Sequence, residues 1–328
     1  MPDFEEMVKG ARIMVDTLTD TKPNEQVLIV LDTATSQRIA DAVMIAARER
    51  GAIPVVAIMD RLAVPNAEPP PTIAAAMQEA DVMFSFVKQT LFHTQARLSA
   101  SARGMRMLSC TGIVEDTLVR GPIKADFNAI KPIVDSLGEK ISAGNTIRVI
   151  SPNGTDLTAS TGGRKANREI WSREFGQASG SPSIEVNVPP LEGTAQGVIV
   201  IDASIAGIGL ITEPIRVTVK DGRAVKFEGA AQAGQLERMI SASGDPRAFA
   251  IAEIGIGLNP EGTVTGNLFE DESAFGTAHI ALGKNTVHGG QNPAPLHVDM
   301  VFLKPTIEID GEIIVAPGKP TLPAHDKV

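Results

Sequence analysis

The stretch VLIVLDTATSQRIADAVMIAARERGAIPVVAI, residues 27–58, reads as strand, helix and strand in succession. Val27–Leu31 is an unbroken apolar run, the pattern of a strand buried on both faces. Thr35 or Ser36 can cap the helix that follows, in which Ile39, Val43 and the Ala46–Ala47 pair recur at helical spacing until Gly51 stops it. Ile53–Ile58 is the next strand. Outward from this unit the alternation continues: a helix near Thr72–Gln78, a strand at Val82–Phe86, a helix near Thr94–Arg103 and a strand at Met105–Ser109. Strands alternating with helices predict an α/β domain built on a mostly parallel sheet. The loop after Val27–Leu31 is DTATSQR and not glycine-rich, so nucleotide binding has no support.

Beyond a helical segment at Ala125–Lys140 the texture changes. Asn153-Gly154, Asp221-Gly222 and Asp310-Gly311 each lie between short alternating apolar runs, which is a strong local hairpin signal. The second half therefore reads as a β-rich α+β domain with one helix near Ala230–Ile240. The expected division is residues 1–140, an α/β domain lining a substrate cleft, and 141–328, a β-rich metal-binding domain.

Composition narrows the function. Thirty basic residues against thirty-nine acidic ones leave a formal net charge of −9, which argues against a nucleic-acid partner. No apolar run reaches the ~20 residues of a membrane span, and the N-terminus lacks a basic region followed by an apolar core. A single cysteine, Cys110, suits a reducing compartment and excludes a cysteine-based zinc site. These features predict a cytoplasmic protein. There is no tyrosine at all, so no phenol serves as acid, donor or nucleophile.

Chemistry concentrates in the second half. In PLHVDMVF, His297 and Asp299 are two apart, and on a strand they project to the same face. That is the geometry of two metal ligands on one rigid element, or equally of a histidine hydrogen-bonded to a nearby acid. His279 lies among small residues in GTAHIALG, as a ligand or a satisfied core histidine. Glu253, in the apolar strand AEIGIGLNP, needs a cation or strong donor if buried. Glu185, in SPSIEVNVPP, is either a ligand or a solvent-facing strand residue. Together they form a nitrogen and oxygen donor set suited to zinc, manganese, cobalt or iron(II), and large enough for two ions about 3.5–4 Å apart.

Elsewhere, His93 and Arg97 in FHTQAR are four apart and would share a helix face. They read as candidates for gripping a substrate carboxylate, or as a surface ion pair with a helix cap. Arg120 carries the same ambiguity. Asp271 and Glu272 read as solvent-facing, though either could act as a general base near bound metal.

In order along the chain, FHTQAR, GIVEDTLVRGPIKADF, SPNGTDLT, LEGTAQGVIVIDASIAGIGL, EPIRVTVKDGR, AEIGIGLNP, GTAHIALG and PLHVDMVFLKPTIEIDGE resemble the metallo-aminopeptidase family typified by aminopeptidase T, in its shorter bacterial branch. The resemblance implies an N-terminal α/β domain, a β-rich C-terminal domain with two divalent ions (zinc, cobalt or manganese), and a homodimer. It puts the metal-ligand glutamates at Glu185 and Glu253, a ligand histidine at His279, and the His-x-Asp pair at His297 and Asp299. One position departs from the family: its catalytic tyrosine falls on Thr286. Lys284, Thr286 and His288 are the polar residues nearby, with Glu272 and His288 the catalytic candidates. A solvated loop is the competing reading there. The superfamily also contains the 2,5-dihydroxypyridine dioxygenases, which use one iron(II). The expected activity is hydrolysis of a small amide or peptide. The alternatives are iron(II)-dependent ring cleavage of a hydroxylated pyridine, or a non-catalytic metal- or small-molecule-binding relative.

Overall fold

The apolar run at residues 27–31 forms an inner strand of a parallel sheet. The structure, a computed structural model, describes residues 1–180 and 182–321. β1 (Gln26–Asp32) pairs in parallel with β2 (Ile53–Met59) on one side and β3 (Val82–Phe86) on the other, and β3 pairs in parallel with β4 (Arg106–Ser109). The connecting helices are α2 (Gln37–Glu49), α3 (Pro71–Glu79) and α4 (Gln95–Ala102), preceded by α1 (Phe4–Arg12). Strands buried on both faces are mainly apolar, and every residue of β3, Ser85 included, is buried. Leu28 and Val30 share one core with Ile73 and Met77 of α3.

Local chemistry shapes the loop that follows β1. The buried Asp32 carboxylate accepts from Ala34 N and Thr35 Oγ1 at 3.0 Å and from Lys88 N at 2.6 Å. Ser36 occupies the N-cap of α2, but its hydroxyl donates to Glu115 Oε1 at 2.6 Å instead of capping the helix.

The chain divides into two compact units. One is Met1–Ala125 with Ile170–Ser183; the other is Asp126–Glu169 with the residues from Ile184 onward. Helix α5 (Phe127–Ala143), which the sequence groups with the first half, belongs to the second unit and packs on strands there. Asp126 caps it, accepting from Ala129 N at 3.0 Å.

The second unit holds two seven-stranded antiparallel sheets. The strands run β5 (Thr146–Ile150), β6 (Asp156–Ser160), β7 (Asn167–Glu169), then β8 (Ala178–Gly180), which returns to the first unit as a fifth parallel strand beside β4. They continue with β9 (Glu185–Val188), β10 (Gln196–Ile201), β11 (Ser204–Ile205), β12 (Gly209–Leu210), β13 (Ile215–Lys220), β14 (Arg223–Glu228), β15 (Ile251–Gly257), β16 (Thr277–Gly283), β17 (His297–Leu303), β18 (Thr306–Ile309) and β19 (Glu312–Val315). Helix α6 (Ala231–Ser241) and the single turn α7 (Leu268–Asp271) interrupt them.

The three expected hairpins are present as β5–β6, β13–β14 and β18–β19. At Asp221-Gly222 and Asp310-Gly311 both turn residues have positive φ (49° and 73°; 50° and 84°), which matches the twist of the flanking strands. One sheet runs β14-β13-β10-β6-β5-β18-β19; the other runs β12-β11-β17-β16-β15-β9-β7 and carries the site. Among the described residues no helix is long and apolar enough to cross a membrane.

Candidate metal centre

Four adjacent strands, β17, β16, β15 and β9, build the centre on one face of their sheet. Registered partners in an antiparallel pair point to the same side. Asp299 lies opposite Ala281 and Ala281 opposite Glu253; His297 lies opposite Gly283, His279 opposite Gly255, and Glu185 opposite Gly257. In these pairs donors face alanine or glycine, and Val301 fills the position opposite His279 on β17. The other face presents Val186, Val188, Ile254, Ile256, Ile280, Leu282, Met300 and Phe302, all buried apolar core.

Two local devices complete the arrangement. Register shifts between Ile251 and Glu253 against β16, so a bulge sets Glu253 on the polar face. At Gly255 a Cβ would lie 2.0 Å from His279 Nε2, so only glycine lets that imidazole lie across β15.

The five expected ligands converge. His279 Nε2 is 3.5 Å from Glu253 Oε1, His297 Nε2 is 3.3 Å from Glu253 Oε2, and it is 3.1 Å from Asp299 Oδ1. Glu185 is 4% exposed, Glu253 2% and His279 1%, so none of the three is a solvent-facing strand residue. His288 joins them: its Nε2 lies 3.1 Å from Glu253 Oε2 and its ring stacks on His297 at 5.4 Å. The expected solvated loop holds only for Thr286, which is exposed. Lys284 contributes its carbonyl, which accepts from His297 Nδ1 at 2.6 Å. That bond fixes the tautomer and turns the other nitrogen, Nε2, toward the two carboxylates.

Ligand atoms fall into two groups that share one residue. Glu253, His288 and His297 form one, and Glu185, Glu253 and His279 the other; within each group the atoms lie within 4.8 Å of one another. Charge is balanced only by added positive charge. Burial raises the Glu185 carboxyl to about 8, and burial with the neighbouring Glu185 and Asp299 charges holds Glu272 well above the usual carboxylate range. Burial opposes charge on Glu253 as well, but His288, His279 and His297 outweigh it and keep that carboxyl well below its ordinary value. In the same way, burial of His279 is overcome by Glu185 and Glu253, and burial of His297 by Asp299 and Glu253, so both imidazoles bind protons well above the usual range.

A divalent cation fits these residues. Glu185 Oε2 and His279 Nδ1 are buried atoms that make no hydrogen bond, an expensive condition for polar groups without an ion. The nitrogen and oxygen donor set matches zinc, cobalt, manganese or iron(II).

The remaining candidates lie elsewhere or play other parts. Glu272 follows α7 and is half-buried, not solvent-facing. Asp271 is fully buried and accepts from Thr265 N at 2.6 Å and Gly266 N at 3.0 Å, so it folds a loop. His93 precedes α4 and does not share its face with Arg97, because Thr94 is the N-cap and accepts from Arg97 N at 3.3 Å. Arg97 is 7% exposed, donates from Nε to Phe92 O at 2.6 Å, and stacks on the Phe92 ring. Its guanidinium thus holds the turn that carries His93. Arg120 is exposed and pairs with Asp116.

Sequence reasoning missed Asn187, which donates to Glu185 Oε1 at 2.9 Å and to Glu169 Oε1 at 3.3 Å. The signal was present: Asn187 is two residues from Glu185 on the same strand and shares its face.

The family described as 2,5-dihydroxypyridine 5,6-dioxygenase (NicX) matches residues 13–321. The chain belongs to this family. A 2,5-dihydroxypyridine 5,6-dioxygenase of Pseudomonas putida is 25% identical over 195 residues, covering 56% of this chain and 56% of that protein. The solved structure of the Pseudomonas putida 2,5-dihydroxypyridine dioxygenase superposes with a TM-score of 0.86 at 20% identity, covering 98% of this chain and 99% of the other. AmpT of Thermus thermophilus superposes with a TM-score of 0.69 at 15% identity over 97% and 99% of the two chains. NicX-family members and aminopeptidase T therefore share this fold, and both named relatives are enzymes.

Proposed function

We propose that the protein is a metallohydrolase that cleaves a small amide or peptide bond with two divalent ions. The observation that carries the reading is the pair of donor groups sharing Glu253, one completed by His288 and His297 and the other by Glu185 and His279. A one-ion site would leave the second group of buried donors without purpose. The assigned ligands are Glu185, Glu253, His279, His297 and Asp299, with His288 added from the geometry. When bound, the two ions supply carbonyl polarisation and a water acidified to near-neutral pKa.

The chain's own residues supply the proton path. Glu272, whose strongest charged neighbours are Glu185 and Asp299, is assigned as the group that takes the proton from the attacking water and passes it to the leaving amine. The bond formed is water oxygen to carbonyl carbon; the bond broken is carbonyl carbon to nitrogen. Substrate binding is assigned to His93, on the turn that Arg97 clamps. Following the aminopeptidase resemblance, the working species is a cytoplasmic homodimer with zinc, cobalt or manganese.

A second reading has its own support. Glu253, His288 and His297 are two imidazoles and a carboxylate, the donor set of non-haem iron(II) oxygenases, and the family takes its description from such an enzyme. The two readings separate on one screen. Small amides and 2,5-dihydroxypyridine are offered with zinc, cobalt, manganese or iron(II), with and without oxygen. Oxygen-independent amide cleavage is the expected result. Oxygen consumption with loss of the pyridine absorbance would transfer the assignment to the second reading.

A further inference from the structure

Residues 284–296, between β16 and β17, contain no regular strand or helix, and Gly289-Gly290 follows His288 directly. A glycine pair in such a segment makes the chain permissive, yet His288 must hold its imidazole beside Glu253. The segment is anchored by polar groups. Arg164 donates to Gly289 O at 2.6 Å and to Glu192 Oε2 at 2.5 Å, while Asn167 Nδ2 donates to His288 O at 3.3 Å. Glu192 Oε1 accepts from Asn285 Nδ2 at 3.0 Å and from Gln291 N at 2.7 Å, so one carboxylate grips the segment on both sides of His288. Asn285 is fully buried and accepts from Asn292 N at 2.7 Å. Asn292 in turn donates to Gly283 O at 2.6 Å, closing the segment on the end of β16.

We infer that Glu192, with Arg164, is a positioning residue that holds His288 as a third imidazole donor to the metal centre. The inference rests on the metal-binding reading above. Neither Glu192 nor Arg164 touches a donor atom of the two groups; both act through the backbone around His288. In this chain the segment thus brings in an imidazole two residues beyond Thr286, where the resembling peptidases carry tyrosine.

Cobalt(II) titration of the metal-stripped full chain tests this, read by affinity and by the visible spectrum of the bound ion, which reports the donors. His288→Ala is expected to weaken one equivalent of cobalt and to change the spectrum. Glu192→Ala is expected to weaken the same equivalent by about 10–100-fold, the usual cost of removing a ligand's support. The isosteric Glu192→Gln, which retains the shape if the alanine variant misfolds, is expected to fall between it and the unaltered chain. The double variant Glu192→Ala/His288→Ala is expected to bind no more weakly than His288→Ala alone, because both changes remove one interaction. Additive losses, or a His288→Ala protein with unchanged affinity and spectrum, would overturn the inference while leaving the metal-binding reading intact. An unaltered chain that takes up no cobalt would overturn both.

Discussion

Glu253 sits among three imidazoles, with Oε1 3.5 Å from His279 and Oε2 3.1 Å and 3.3 Å from His288 and His297. Without a cation, protons on His279 and His297 provide the balancing charge, and both imidazoles hold them well above the usual range because carboxylates surround them. A ligand nitrogen must be free of its proton, so metal binding at neutral pH releases protons. Calorimetric titration with zinc in buffers of different ionisation enthalpy is expected to show that release, with affinity rising as pH rises toward the imidazoles' raised values. Identical heats in all buffers would contradict it. Stability of the metal-free chain follows the same groups. A histidine whose folded pKa is raised stabilises fully below its unfolded value of 6.5, and that contribution is lost as pH rises through the folded value. Glu185, raised from 4.5 to about 8, adds a penalty that grows between those values, because only the unfolded chain can ionise it freely there. Melting of the metal-free chain is therefore expected to fall from pH 6.5 to 8, and metal to restore it. A flat profile would count against the charge balance described.

The strands show what was legible. In AEIGIGL, TAHIALG, HVDMVFL and IEVNV, donors or small residues alternate with apolar ones. That period places Glu185, Glu253, His279, His297 and Asp299 on the polar side of each strand before any pairing is known. Strand pairing was not legible, because it depends on contacts between segments far apart in sequence. Nor was the bulge between Ile251 and Glu253, which a single alternating strand does not encode. His288, read as a catalytic candidate, was not legible as a donor, for a different reason. Its segment has no periodicity, and its position is fixed by distant partners, Arg164 and Glu192. Between residues 26 and 109 the elements of the α/β half were read to within a residue or two, since its inner strands are mainly apolar runs. Elements α1 and β8 were not, and α5 packs with the second unit by tertiary contacts that the local pattern does not encode. Two variants probe this scale. Gly255→Ala would place a methyl 2.0 Å from His279 Nε2, so it is expected to cost about 1–3 kcal/mol in urea unfolding and to weaken zinc binding. Unchanged zinc affinity would mean that His279 needs no room over β15. Deleting Ala252 removes the extra residue of the bulge and leaves Ile251 opposite Leu282 and Glu253 opposite Ala281 in a regular ladder, so Glu253 stays on the polar face. Zinc titration of the folded fraction of that variant is expected to retain tight binding; its loss would show that Glu253 needs the bulge itself and not only its side of the sheet.

At the scale of the molecule, one fold serves an aminopeptidase T relative and a 2,5-dihydroxypyridine dioxygenase relative, so architecture alone does not choose the reaction. The choice lies in the donors on the β17-β16-β15-β9 face. All of them belong to the second unit, and Glu253 is common to both donor groups. The most direct measurement is the metal content of the full chain, purified without chelator and determined by mass spectrometry, beside that of Glu253→Gln. The two-ion site predicts two divalent equivalents per chain, both lost in the variant. A single equivalent of iron per chain, with oxygen consumed when 2,5-dihydroxypyridine is added, would contradict it.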